Sequence, residues 1–223
     1  MESKFQLPIR TYPELNLQTG VVTQKSCLEK WEKAYNNGTY TSPTKEEQYY
    51  ITLLKNVMPF ALPFHLQVVD HIPKAYGDYD HTTCLIRIAR RCRKMAFNEV
   101  AMLDTAIHEL CHHIDYYHLS INPRGFSHSN KFHVAIEILT VKHYLITGNY
   151  NKTNYPPIET LRKAAGDDSL PVNTLYSRWR YCELDNLYTP KNHNWTVKEL
   201  CEQLGVDLIN GKVLDYPSQA KAC

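Results

Sequence analysis

The sequence predicts an α+β fold in which a short β-sheet packs on a long helix and a second helix follows. Three observations carry this expectation. Two short runs rich in branched residues, 64–70 (FHLQVVD) and 83–89 (TCLIRIA), alternate as half-buried strands do. After Asn98, apolar residues recur at helical spacing through Ile114, and a second helical pattern runs from Ser129 to Leu145. Of the 223 residues 43% are hydrophobic and 22% charged, which is ordinary globular usage and excludes a disordered, collagen-like or coiled-coil chain.

The first 25 residues are polar and rich in proline and read as an irregular arm. From Ser26 to Tyr35 a serine cap position and helix formers predict a short helix, with Leu28, Trp31 and Tyr35 on its apolar side and Asn36-Asn37-Gly38 as its stop. A second helix is expected over Lys45–Val57, burying Tyr49, Leu53, Leu54 and Val57. Between the two strand-like runs, 75–80 (AYGDYD) carries Gly and Asp as turns do and predicts a hairpin or meander. The long helix has Asn98 as cap, Glu99 in its first turn, and a stripe of Val100, Leu103, Ile107, Leu110, Cys111 and Ile114. In the next helix Phe132, Val134, Ile136, Ile138, Leu139 and Val141 supply the apolar side, and Gly148 ends it. Beyond it, Ile158–Ala165 is expected as a short helical stretch, Thr196–Gly205 as a threonine-capped helix, and Val206–Leu214 as a hairpin around Asn210-Gly211. This divides the chain into an arm (1–25), a principal domain (26–148) and a C-terminal extension (149–223).

Lys and Arg total 25 against 23 Asp and Glu, a net charge of +2 that is too even for bulk attraction to nucleic acid or membrane. No run approaches the about 18 apolar residues of a membrane span, and no apolar segment follows a basic start as in a secretion signal. The expected setting is therefore intracellular, without membrane contact. The seven cysteines never form a C-x-x-C pair and suit reduced, mostly buried thiols. The Asn-x-Thr triplets at Asn37, Asn151 and Asn194 are read as chance.

Within the long helix stands His108-Glu109-Leu110-Cys111-His112, an H-E-x-x-H motif. Residues four apart share a helix side, so both imidazoles can reach one metal ion while Glu109 stands beside the open coordination position. Zinc held by three protein groups lowers the pKa of its water to about 7, and a neighbouring carboxylate can take that water's proton as it attacks a peptide carbonyl. Three residues compete as third ligand. His118 has the metzincin spacing, but Asp115 occupies the glycine position of that pattern and no methionine follows Met102. Glu137 would imitate thermolysin-like enzymes, yet lies among apolar residues. His128 ranks first, because it stands before Ser129-Asn130-Lys131-Phe132 at the entry of the next helix, where a loop can return it to the first pair.

With H-E-L-C-H followed after fifteen residues by H-S-N-K-F, the sequence resembles the SprT-like metallopeptidases over roughly Phe64–Leu145. The resemblance implies a minimal zincin fold, a Zn2+ ion on His108, His112 and His128, and Glu109 as general base. Ser129 replaces the glycine usual after the third histidine, and the downstream zinc ribbon is missing, since Cys182, Cys201 and Cys223 stand alone.

Other polar residues have plainer expectations. Asp104 and Asp115 could orient the metal-bound imidazoles but read first as solvated. His113 points about 100 degrees from His112 and should bond neighbouring structure. His133, Tyr116 and Tyr117 could stabilise an oxyanion but suit packing better. Arg87, Arg90, Arg91, Arg93 and Lys94 form a local basic run that could weakly contact nucleic-acid phosphate, or simply be solvated and paired. The reading is a zinc metalloendopeptidase acting on a protein or peptide; the alternative is a non-catalytic member of an assembly that keeps the fold.

Overall fold

The computed structural model describes residues 24–40, 42–59, 61–92, 95–119, 128, 130–148, 158–166 and 196–214. Their secondary structure is mixed α and β, in the order α1 (Gln24–Asn36), α2 (Lys45–Val57), β1 (His65–His71), β2 (Gly77–Asp80), β3 (Leu85–Cys92), β4 (Met95–Ala96), α3 (Glu99–Ile114), a π-helical turn (Asp115–Leu119), α4 (Asn130–Thr147), α5 (Ile158–Ala165), α6 (Val197–Gln203), β5 (Val206–Asp207) and β6 (Lys212–Val213). The expected arm lies almost wholly outside the described residues. No described helix is long and apolar enough to cross a membrane.

The sheet departs from the expected hairpin. β1 and β3 lie side by side and parallel, with His65 opposite Leu85 and Val68 opposite Ile88. Residues 77–80, read as part of a turn, form β2, antiparallel to β3 with Asp78 opposite Arg87. The order is thus β1-β3-β2. Apart from Tyr79, Gly-Asp-Tyr-Asp is made of residues depleted in strands, and it is tolerated because it lies on an edge. The turn before β3 is built by Asp80, whose carboxylate accepts from the Thr82 amide and from the Thr82 and Thr83 hydroxyls.

Caps fix the helices that flank the sheet. Thr44 and Glu47 form a capping box on α2, and a Glu47 oxygen also accepts from the Val68 amide on the outer edge of β1. Asn98 accepts from the Ala101 amide and starts α3 as expected. Ile86 and Ile88 of β3, Ile107, Leu110 and Ile114 of α3, and Phe132, Ile138 and Leu139 of α4 form the centre of one core. Leu161, Leu200, Leu204 and Leu208 join that same core, so described parts of the C-terminal extension pack with the principal domain. Buried Lys142 donates to the Leu204 carbonyl at 2.7 Å, and Arg162 to that of Leu208 at 2.9 Å. β5 and β6 make the expected hairpin.

Three helix faces are corrected. In α1 the buried residues are Cys27 and Ala34, while Leu28 and Tyr35 are exposed. Small side chains let the helix approach the sheet, and Trp31 lies flat between Tyr35 and His65. In α2 Tyr50 is buried in place of Tyr49, and in α3 Val100 is exposed while Met102 and Ala106 are buried.

Candidate metal centre

α3 presents two sides. Ile107, Leu110, Cys111 and Ile114 enter the core, while Ala101, Asp104, Thr105, His108, Glu109 and His112 line a cleft of about 710 Å3. The spacing of this second set, three or four residues at a time, keeps it on one face. One wall is β2 with the preceding Ala75 and Tyr76; the other is α4, through Ile136 and Thr140.

His128 closes the site. The imidazoles of His108, His112 and His128 stand at the corners of a nearly equilateral triangle, with centroid separations of 5.1, 5.0 and 5.1 Å. One ring nitrogen from each lies within 4.8 Å of the others, and Nε2 of His108 and Nε2 of His128 are 3.0 Å apart. Two nitrogens bound tetrahedrally at 2.0–2.1 Å to zinc would stand about 3.4 Å apart, so the His108–His128 spacing is close to that of a shared ion. The donor chemistry fits as well. Burial, and then the neighbouring imidazoles, hold His108 down to about 4 and His112 to about 3, so both offer uncharged lone pairs at neutral pH. Among the described residues this is the one group of three possible metal-binding side chains.

Phe132 supports the triangle from below. Fully buried, its ring centre lies 4.4 Å from that of His112, 5.1 Å from His128 and 5.3 Å from His108. In the sequence Phe132 is a core residue of the second helix and the last residue of H-S-N-K-F; its place against all three imidazoles is a finding of the structure.

Glu109 is 5% exposed, and its carboxyl is pushed up to about 8 by burial, with a smaller push from Asp78. β2 crosses it closely: a β-carbon on Gly77 would lie 2.7 Å from Thr105 Cγ2, 2.8 Å from the Arg87 carbonyl oxygen and 2.9 Å from Glu109 Cγ. Only glycine lets the strand come this near.

The remaining candidates divide. Glu137 is buried on α4, with Oε1 lacking a hydrogen-bond partner, and does not belong to the imidazole group. The side chain of His118 lies outside the described residues. Asp104 and Asp115 are not solvated as expected: Asp115 is buried, and Asp104 is half-buried in the cleft wall with its pKa raised by that burial. His113 bonds neighbouring structure, as expected. Its Nε2 donates to the Leu62 carbonyl at 3.0 Å, which leaves Nδ1 to accept from the Tyr79 hydroxyl at 2.9 Å. Tyr116 and Tyr117 pack toward His81 and Lys30. His133 lies beside His128 with its ring tilted by 35° and ring centres 5.7 Å apart. In the basic run Arg87 pairs with Asp78, Arg90 with Glu46 and Arg91 with Asp70; Arg93 and Lys94 lie outside the described residues.

No protein-family model, curated protein or solved structure matches this chain. The chemistry of the site therefore rests on its own residues.

Proposed function

We propose that this chain is a zinc-dependent metallopeptidase with a zincin-like arrangement of its site, as its resemblance to the SprT-like enzymes implies. The observation that carries the reading is the imidazole triangle with the Glu109 carboxyl beside it, in a cleft bordered by the edge strand β2. His108, His112 and His128 would hold the ion, with Phe132 keeping their rings in place. Zinc, when bound, supplies a Lewis acid that polarises the scissile carbonyl and acidifies water. Glu109 accepts the proton of the attacking water and returns it to the departing amine, a task that suits a carboxyl held near neutral pKa by burial. With a cation held by the three imidazoles, the Glu109 carboxyl would be favoured in its ionised form, the one that accepts a proton. An extended peptide would lie against β2 and bond to the strand's outer edge, which has no partner among the described residues.

The test is the Glu109→Gln variant assayed on an unfolded protein substrate, with metal content measured in parallel. The reading expects stoichiometric zinc in both proteins and cleavage by the wild type alone. Undiminished cleavage by Glu109→Gln would remove Glu109 from its role. Zinc bound by a wild type that hydrolyses nothing would favour the non-catalytic assembly component.

A further inference from the structure

Away from the imidazoles, α1 meets the turn between β2 and β3 at two thiols. Cys27 and Cys84 lie 57 residues apart in sequence, yet their Sγ atoms are 3.6 Å apart and both side chains are fully buried. A disulfide bond is about 2.05 Å long, so closing the pair needs a movement of about 1.5 Å.

The surroundings of Cys84 are unusual in two ways. Its φ is 55°, in the left-handed region that side-chain-bearing residues avoid. Such conformations persist where the surroundings hold them and mark positions worth examining for function. The thiol also sits in a polar chain: the Tyr117 hydroxyl is 3.3 Å from Cys84 Sγ, and the Lys30 ammonium donates to Tyr117 at 3.5 Å and to the His81 carbonyl at 3.2 Å. The Cys27 hydrogen bond, then Tyr117 and the Lys30 charge, hold the Cys84 thiol below its ordinary value against the opposing effect of burial; the same contact with Cys84 pushes Cys27 up. The two sulfurs also differ in their neighbours. The Tyr117 hydroxyl can donate to Cys84 Sγ and favour its thiolate, while the Cys27 thiol can donate to the Pro63 carbonyl at 3.6 Å and keep its proton. This suits Cys84 to attack and Cys27 to resolution.

Access follows from how α1 is held. Its buried residues belong to two small clusters, Cys27 with Leu62, Cys84 and Tyr117, and Ala34 with Tyr40 and Leu85, both separate from the main core. Elements attached through few buried contacts open first, which admits a small oxidant.

We propose that Cys27 and Cys84 are a redox modification site, converted by a hydroperoxide into a disulfide that staples α1 to the β2–β3 turn. The Cys84 thiol gives its proton to solvent, and the thiolate attacks a peroxide oxygen, forming a sulfenic acid and releasing hydroxide or alkoxide. The Cys27 sulfur displaces the sulfenic oxygen, the S–S bond forms, and water leaves with the Cys27 proton. In sum two thiols lose two electrons and two protons to one hydroperoxide, and a dithiol reductant reverses the change. The inference is independent of the peptidase reading.

The experiment treats the full chain with hydrogen peroxide, denatures it in alkylating reagent and digests it without reductant. A Cys27–Cys84 linked peptide that dithiothreitol separates is the expected product. In Cys27→Ser, dimedone should label Cys84; in Cys84→Ser, Cys27 should stay unlabelled. Oxidation should raise the thermal midpoint of the wild type and of neither variant. Recovery of both cysteines as alkylated thiols while the more accessible Cys92 is oxidised, or linkage of either to another cysteine, would overturn the proposal. The wild-type peptide map decides this even if a variant fails to fold.

Discussion

The backbone of Gly77 passes so near Glu109 that a β-carbon there would meet Glu109 Cγ at 2.9 Å. The strand bordering the cleft and the carboxyl within it are thereby fixed against each other. Because the Arg87 carbonyl oxygen is also within 2.8 Å of that position, side-chain adjustment alone cannot make room. Gly77→Ala should lower stability by about 1–3 kcal/mol, the usual range for overpacking. A urea midpoint equal to that of the wild type would show that the strand does not approach this closely.

Phe132 offers a second handle, because one buried ring touches all three imidazoles. Phe132→Ala should cost about 3–5 kcal/mol through the cavity it leaves. It should also weaken zinc binding by about 10–100-fold, the range found when groups that orient metal ligands are removed. Phe132→Leu should lose less of both. Competition against a chelating dye measures the second effect apart from the first.

Zinc itself should stabilise the fold. At free zinc one hundred times its dissociation constant, the gain is about 2.7 kcal/mol, and a chelator should reverse it. His128→Ala should reduce the gain sharply, since its imidazole comes from outside α3 and ties that helix to the entry of α4. Thermal melts with and without zinc, compared between the two proteins, test this; equal zinc-induced shifts would exclude His128 as a ligand.

Glu137 predicts a pH dependence. Burial pushes its carboxyl up to about 9, against 4.5 as the ordinary value. Between these values the folded state keeps a proton that the unfolded chain releases. The contribution is therefore fully present below pH 4.5 and is lost as pH rises toward about 9, at up to about 1.4 kcal/mol per unit. Glu137→Gln should be increasingly stable relative to the wild type over that interval. A difference that does not change with pH would mean the carboxyl is not desolvated.

Local chemistry explains what the sequence revealed. The Asn98 cap and the H-E-x-x-H pair are each written within a few residues and stand on α3 as expected; the Thr44–Glu47 box is just as local but is a finding of the structure. What depended on distant partners was harder to read. The parallel pairing of β1 with β3 has no local signature, and β2 is made of residues that favour turns. For α1 apolar size points to Leu28 and Tyr35 as the buried side, whereas close approach to the sheet selects Cys27 and Ala34. The contact of Cys27 with Cys84 arises from that same approach. His128 ranks first as third ligand on its position and on the H-S-N-K-F resemblance, and the structure groups its ring with those of His108 and His112.

Finally, the bond from Lys142 to Leu204 bears on where this protein can be cut. An ammonium buried in α4 bonds a carbonyl more than sixty positions downstream, so a fragment ending at the close of α4 would remove that acceptor from the Lys142 ammonium. A fragment that keeps this acceptor and the β5–β6 hairpin together with the imidazole triangle extends through residue 214, although His108, His112, His128 and Phe132 all precede residue 133.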